Sequence, residues 1–347
     1  MDIKFDKLSG KKKEIYESLW GDTKFSAEVS PTGKTDYSYE FSNATKNATK
    51  AVSDKLSDIF ELRDKSLFEN KFAMVCSGNG GELKNMTTLH SSALCALLFF
   101  YNVTEKNKLT FATTELNDII FYDSIFEFKN KVIGGCYPSN VDVVLIGEYK
   151  KSGKKVLFFL ESKFSEYILG ITKANSKYEI GKSYFNNCYT KCIYKEDVLK
   201  KINIDLDISK DKHHLVPRED KYIEGIKQIV SHYVGIRNLI DKKFCEKNDE
   251  DVLEKVKDVL KSNPKILLGE IVFDNFSAQV QDKLLNSYEK DYKLIAEKLN
   301  EIDKDLNDID KRITVLKKPL RYSMFKEVDF KLDEKVSKYY NLNKAST

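Results

Sequence analysis

The stretch of sequence that decides the fold runs from 140 to 164 and is NVDVVLIGEYKKSGKKVLFFLESKF. It contains two mainly apolar segments, 140–149 and 155–164, separated by the polar run Lys-Ser-Gly-Lys at 151–154. Apolar segments of this length on either side of a polar, glycine-containing turn predict two antiparallel β-strands. A further extended segment at 118–132 precedes them, so we expect a three-stranded β-meander.

The segments around the meander predict the fold class. In chain order the expected elements are a helix over 52–62, a buried helix that begins near Thr88 or Ser91, the meander, an amphipathic helix at 221–241, a charged linker at 246–264 and a buried strand at 265–273. The order helix, three strands, helix, strand predicts an α/β fold with a mixed central sheet flanked by helices.

The composition excludes several classes of protein. The chain has 347 residues, of which 41% are hydrophobic, so it can bury a large core and is not disordered as a whole. A net charge of +4 is too small for a protein that coats nucleic acid without specificity. The longest apolar run, 93–101, is too short to span a membrane, and the amino terminus lacks an apolar signal segment. We therefore expect a soluble, cytoplasmic protein with reduced cysteines.

The last third of the sequence contains an unbroken heptad pattern. Its apolar residues alternate steps of three and four and are Leu285, Tyr288, Tyr292, Ile295, Leu299, Ile302, Leu306, Ile309 and Ile313. The pattern predicts one helix of about 30 residues. Two interpretations remain open: the helix packs on its own domain, or it pairs with a second helix or chain as a coiled coil.

Two acids and a lysine interrupt the two apolar strands at Asp142, Glu161 and Lys163. If the turn centres on 152–153, antiparallel pairing puts Asp142 opposite Lys163 and Val144 opposite Glu161. Directly opposed residues share a face, and so do residues two apart on one strand. The three charged side chains are therefore expected to converge on one patch of the sheet.

Two explanations fit charged residues on strands this apolar, because desolvating a charge is costly unless it is paired or binds a metal. In the first, Asp142 and Lys163 form a cross-strand ion pair and Glu161 reaches solvent. In the second, the two carboxylates supply hard oxygen ligands to Mg²⁺ or Mn²⁺, and the lysine orients a water or offsets charge on a phosphoryl group.

This arrangement resembles the PD-(D/E)XK nuclease superfamily, and especially its restriction-endonuclease-like members. The residues that carry the resemblance are Asp142 and, about twenty positions later, Glu161-Ser162-Lys163 at the end of the third expected strand. The resemblance covers roughly residues 75–275. It implies that Asp142 and Glu161 are metal ligands, that the Ser162 main-chain carbonyl is a third, and that Lys163 acts on the attacking water.

The resemblance also suggests two further catalytic residues. Many members add a glutamate from the first core helix, for which Glu82 is the candidate, and a glutamine on the helix after the third strand, where Gln228 stands. Branches with a tyrosine four residues after that glutamine are not matched here, because residue 232 is His. His232 is either a group that supports the site or an ordinary hydrogen-bonded histidine. A proline just before the first acid is also missing, since Pro138 stands four residues ahead of Asp142.

We expect three segments along the chain: an arm and outer helix at 1–74, a nuclease-like core at 75–275 with an insertion at 170–220, and the long helix and tail at 276–347. Lysines alternate with aromatic residues over 173–195. Lysines can neutralise phosphates while aromatic rings stack on bases, so this run predicts either DNA contact or a solvated outer layer.

Together these features predict a Mg²⁺- or Mn²⁺-dependent DNA endonuclease of the restriction or defence type, acting on duplex DNA. A homodimer through the heptad helix would suit an enzyme that cuts both strands. The alternative is a nucleic-acid-binding or scaffold protein that keeps the nuclease-like fold without cleaving anything.

Overall fold

The structure of the protein is a computed structural model. It describes residues 46–77, 91–132, 138–164, 178–180, 204–209, 212–217, 226–241, 250–275, 278–306, 312–326, 330–340 and 342. Within these residues, no helix is both long enough and apolar enough to cross a membrane.

The described chain begins with three helices, continues with six strands and two helices, and ends with a mixture of strands and helices. In chain order they are α1 (Lys46–Ile59), α2 (Lys65–Cys76), α3 (Ser92–Phe100), β1 (Ile119–Asn130), β2 (Ser139–Tyr149), β3 (Lys155–Lys163), β4 (Tyr178–Ile180), β5 (Ile204–Ser209), β6 (Lys212–Pro217), α4 (Ile226–Ile240), α5 (Glu250–Lys261), β7 (Lys265–Val272), α6 (Ala278–Leu306), β8 (Ile313–Val315), β9 (Leu320–Arg321) and α7 (Glu334–Tyr339).

The central sheet has six strands in the order β1-β2-β3-β7-β8, and β9 pairs with the far end of β7. The first three strands form the predicted antiparallel meander, and β7, β8 and β9 add in parallel. A separate three-stranded sheet, β4-β6-β5, belongs to the segment between β3 and α4. The chain is therefore a mixed α/β protein, as its pattern of elements predicts.

The register of the β2–β3 hairpin differs from the expected one by two residues. Val143 pairs with Leu160, so partner numbers sum to 303. Extending this register by one position beyond the last pair puts Asp142 opposite Glu161 rather than Lys163. The difference arises at the turn, where Gly153 donates its N–H to the carbonyl of Tyr149 and adopts a φ of +66°. A glycine tolerates this left-handed conformation, which lets the strands close around a four-residue loop.

A shift of two residues keeps every side chain on its face of the sheet, because side chains alternate with a period of two. One face of the sheet packs against α1, α2, α3 and the carboxyl-terminal residues from Leu316 to Leu342. The other face packs against α4, α5 and most of α6. The result is a three-layer architecture with helices on both sides of the sheet.

The expected charged linker at 246–264 is wrong, because it contains α5. Its apolar residues Val252, Leu253, Val256, Val259 and Leu260 recur at helical spacing and pack against the sheet. Charged residues occupy the opposite side of this helix. The high content of charged residues suggested a linker, although the spacing of the apolar residues is that of an amphipathic helix.

The long helix α6 is 29 residues long, close to the predicted length. Its apolar stripe, which consists of Leu285, Tyr288, Tyr292, Ile295, Leu299 and Ile302, is at most 5% exposed within the single chain. The stripe thus packs on the protein's own core. Ile313, the last residue of the heptad pattern, belongs to strand β8 instead, and Ile309 lies outside the described residues.

Helix α4 lies against the carboxyl end of β1. A Cβ atom on Gly235 would come within 2.6 Å of the Asn130 Cβ, so only glycine permits this approach. On either side of Gly235 in the sequence, the Arg237 guanidinium and the Tyr233 hydroxyl both donate to Asp303 of α6, at 2.6 and 2.8 Å. The middle of α4 thus packs closely on β1 and is hydrogen-bonded to α6.

Candidate active site

The candidate site begins where the β2–β3 ladder ends. Val143 and Leu160 are the last paired residues. Just beyond this pair, the Ser162 N–H donates to Asp142 Oδ2 at 2.7 Å. A carboxylate thus takes the place of a main-chain acceptor in the gap between the two strands. Asp142 is half-buried, and within the described residues its second oxygen, Oδ1, has no hydrogen-bond donor.

Glu161 and Lys163 lie on the same side of β3 and form an ion pair, with the Lys163 Nζ 2.8 Å from Glu161 Oε1. Gln228, in the first turn of α4, closes a ring with them. Its Oε1 accepts from Lys163 at 2.6 Å, and its Nε2 donates to Glu161 Oε1 at 2.7 Å. Glu161 is 3% exposed and Lys163 is 8% exposed, whereas Gln228 lies at the surface. The ring therefore joins a buried ion pair to solvent.

His232 contacts the other oxygen of Glu161. One turn after Gln228 on α4, the His232 Nε2 lies 3.0 Å from Glu161 Oε2. The second ring nitrogen, Nδ1, lies 2.8 Å from the Ser139 hydroxyl at the start of β2. The imidazole is only 1% exposed. Burial and the two hydrogen bonds therefore hold it between the start of β2 and the end of β3.

Ser162 is fixed from the opposite face of the sheet. Its hydroxyl donates to the Ser92 carbonyl at 3.2 Å and shares a 2.9 Å hydrogen bond with the Tyr322 hydroxyl. Ser92 begins α3, and Tyr322 follows the last strand of the sheet. Residues from both ends of the described chain therefore support the position between Glu161 and Lys163.

The geometry of β3 also orients the Ser162 carbonyl. The Lys163 carbonyl accepts the Phe273 N–H at 2.8 Å and so faces β7. Because the N–H and C=O of neighbouring strand residues point to opposite edges, those of Ser162 face the β2 side. The Ser162 carbonyl thus lies at the same gap in the sheet as the Asp142 carboxylate.

The two carboxylates have opposite pKa shifts. Burial and the negative charges of Glu161 and Glu127 raise the pKa of Asp142 well above its ordinary value. Burial also disfavours the charged form of Glu161, but the Lys163 ammonium and the His232 hydrogen bond outweigh it and lower the pKa of Glu161 to about 2. The ionised form of Asp142 is therefore disfavoured in this environment, and a nearby cation would favour it.

Two further buried acids lie beside these carboxylates on the flanking strands. Glu127 of β1 has a φ of +50°, which is unusual for a residue with a side chain, and accepts from the Asn140 amide at 3.0 Å. Glu270 of β7 is the register partner of Glu161 and accepts a hydrogen bond from the Tyr288 hydroxyl. A row of acids thus crosses four adjacent strands at this end of the sheet.

Five of the six residues suggested by the sequence lie together. These are Asp142, Glu161, Ser162, Lys163 and Gln228, whereas Glu82 lies outside the described residues. The interpretation of the charges as an Asp142–Lys163 ion pair with a solvated Glu161 is wrong, since Lys163 pairs with Glu161 and Glu161 is buried.

Sequence reasoning missed Ser139, Glu127, Glu270 and Tyr322. None of them stands in a motif, and each reaches the site through strand pairing or through the carboxyl-terminal fold. His232 had a visible signal, because a residue four positions after Gln228 lies on the same side of a helix. The structure places His232 in direct contact with Glu161.

Oxygen atoms of the kind that hard divalent cations prefer meet at this end of the sheet. Among the described residues, no group of three or more His, Cys, Asp and Glu side chains is arranged to hold a metal ion. Mg²⁺, however, is ordinarily bound by one or two carboxylates together with water and substrate phosphate. Asp142 Oδ1, which has no donor, and Glu161 Oε2, which accepts one hydrogen bond, are such carboxylate oxygens on neighbouring strands.

Comparison with known proteins adds no relative. No protein-family model matches the chain, and no curated protein or solved structure matches it.

Proposed function

We propose that the protein is a metal-dependent endonuclease that hydrolyses phosphodiester bonds in DNA, built on a restriction-endonuclease-like fold. The observation that carries the proposal is the meeting of Asp142, Glu161 and Lys163 at the end of β2 and β3, with Gln228 closing the group from α4. Such a site, with carboxylates and a lysine on a mixed sheet, suits metal-assisted hydrolysis of a phosphate ester.

Asp142 and Glu161, with the Ser162 carbonyl, would hold Mg²⁺ or Mn²⁺. When bound, the metal would polarise the scissile phosphate and activate a water. Lys163 would position that water and offset negative charge that develops on the phosphoryl group. Gln228 holds both the Lys163 ammonium and a Glu161 oxygen, so it keeps the lysine at the carboxylate.

Duplex DNA is the proposed substrate and restriction or defence the proposed role, in the cytoplasm. The lysine and aromatic residues of 173–195 support contact with nucleic acid by their chemistry. Most of that run lies outside the described residues. A homodimer would place two such sites for the two strands of a duplex. Because the heptad stripe is buried in the single chain, the dimer contact would use another surface.

The direct test is digestion of supercoiled and linear duplex DNA by the purified chain, with Asp142→Ala as a control for contaminating nucleases. We expect cleavage in Mg²⁺ or Mn²⁺, binding without cleavage in Ca²⁺, and no cleavage in EDTA, because Ca²⁺ is larger and activates water poorly. Undiminished cleavage in EDTA would refute the metal-dependent mechanism. Equal cleavage by Asp142→Ala would refute the assigned site.

The alternative function is a non-catalytic nucleic-acid-binding or scaffold protein on the same fold. Retention of both acids and the lysine in one hydrogen-bonded group favours the enzyme, because a decayed site is expected to lose one of them. DNA binding without fragments at any concentration of Mg²⁺ or Mn²⁺ would support the alternative.

A further inference from the structure

We propose that His232 is a positioning residue that holds Glu161 Oε2 in place for the metal, with the Ser139 hydroxyl fixing the imidazole. The proposal rests on the proposed function, because it concerns the same metal site. Its basis is a continuous hydrogen-bonded chain from Ser139 through His232 to Glu161, with distances of 2.8 and 3.0 Å.

The two oxygens of Glu161 accept different numbers of hydrogen bonds. Oε1 accepts two hydrogen bonds, from Lys163 Nζ at 2.8 Å and Gln228 Nε2 at 2.7 Å. Oε2 accepts one, from His232. A carboxylate oxygen has about two lone-pair positions. Within the described residues, Oε1 is therefore saturated, and the remaining position on Glu161 belongs to Oε2.

His232 determines where that position points. Its Nε2 donates, because a carboxylate oxygen can only accept. The ring is 1% exposed and is anchored at Nδ1 by Ser139, so it can neither swing into solvent nor rotate freely. The His232 donor has a fixed position and occupies one lone-pair position of Oε2. The carboxylate is therefore held in one orientation, and the second lone-pair position of Oε2 has a fixed direction. Hydrogen bonds of this kind to a ligating carboxylate commonly change metal affinity 10- to 100-fold.

A purely structural role makes a different prediction. If His232 only satisfies a buried carboxylate, its replacement should lower stability and leave the metal affinity of the folded protein unchanged. The matched control is Tyr233→Phe, on the next residue of α4, which also removes a buried hydrogen bond to a carboxylate, that of Asp303. Tyr233 packs in the core, and its hydroxyl donates to Asp303, which is not one of the residues of the candidate site.

The experiment is a Mn²⁺ titration without DNA, in which free Mn²⁺ is measured by its EPR signal and each variant is checked by a thermal melt. We expect His232→Phe to weaken Mn²⁺ binding about 10- to 100-fold. His232→Gln, whose amide can donate to Oε2, should recover part of the loss. Ser139→Ala should weaken binding by a smaller factor, and Tyr233→Phe should bind as the wild type does.

Several outcomes would overturn the proposal. Folded His232→Phe that binds Mn²⁺ as tightly as the wild type would overturn it, as would an equal loss in Tyr233→Phe. If His232→Phe does not fold, Ser139→Ala with unchanged affinity would do the same. Wild-type protein that neither binds Mn²⁺ nor cleaves DNA would overturn the proposed function as well, so the two failures are distinguishable.

Discussion

The Asp142 carboxylate accepts a hydrogen bond of 2.7 Å from the main-chain N–H of Ser162, just beyond the last paired residues of β2 and β3. Burial and the Glu161 charge raise the pKa of this carboxyl group. A carboxyl group whose pKa is higher in the folded than in the unfolded state lowers stability as the pH rises above its ordinary value. The metal-free protein is therefore destabilised at neutral pH by Asp142.

Asp142→Asn should increase the free energy of unfolding in EDTA at pH 7, because the amide can still accept the Ser162 N–H and carries no charge. Cleavage in Mg²⁺ should fall at least about a hundredfold. Urea unfolding at several pH values measures the first effect. The stability gain should shrink as the pH falls towards 4, and a variant less stable than wild type at pH 7 would contradict the assignment.

Glu161→Gln should have the opposite effect on stability. The Lys163 charge and the His232 hydrogen bond lower the pKa of Glu161 to about 2, so its ionised form stabilises the fold above pH 4.5 and this contribution is lost as the pH falls towards 2. The variant should be less stable than wild type in EDTA at pH 7. The pair Asp142→Asn and Glu161→Gln, measured in the same unfolding experiment, therefore tests the sign of both shifts.

Lys163→Met should lower cleavage about a hundredfold or more, because in the proposed mechanism Lys163 positions the water and offsets phosphoryl charge. It also removes one donor from buried Glu161, at a cost of about 1–3 kcal/mol in stability, while the Gln228 and His232 donors remain. Cleavage rates and thermal melts on the same preparation separate the two effects. A variant that melts early but cuts normally would show that Lys163 is only structural.

Gly235→Ala should impair both stability and activity. Its added methyl group would overlap Asn130 at 2.6 Å and push α4 away from β1, at a cost of about 1–3 kcal/mol. Gln228 and His232 lie on the same helix, so cleavage should fall with the displacement. The control is Gly153→Ala, where the hairpin turn has open space but a φ of +66°; it should cost about 1 kcal/mol and leave the cleavage rate unchanged.

The sequence predicts that Asp142, Glu161 and Lys163 come together, because the face on which a strand side chain lies depends on the parity of the register and not on its exact value. The turn at Gly153 moves the partner of Asp142 by two positions, and a shift of two leaves Asp142, Glu161 and Lys163 on one side of the sheet. A shift of one would have separated them. Gln228 was suggested by the family resemblance alone, and the structure places it in hydrogen-bond contact with Glu161 and Lys163.

The sequence could not predict what depends on distant partners. Ser139 and His232 meet only because α4 crosses the end of β2, and Tyr322 reaches Ser162 only because β9 pairs with β7. The heptad pattern of α6 continues to Ile313, although strand pairing with β7 takes that residue out of the helix. Periodicity describes local preference, and here tertiary pairing outweighs it at the end of the pattern.

Lys163 and Gln228 are hydrogen-bonded although they lie 65 positions apart, so the two ends of the segment that joins them meet at the candidate site. Loop closure costs grow slowly with length, by about 0.6 kcal/mol for each doubling. The intervening segment can therefore be lengthened, shortened or exchanged during evolution while the ring that joins its two ends persists. Descendants of this chain can therefore differ in this segment and keep the hydrogen-bonded group of Glu161, Lys163 and Gln228.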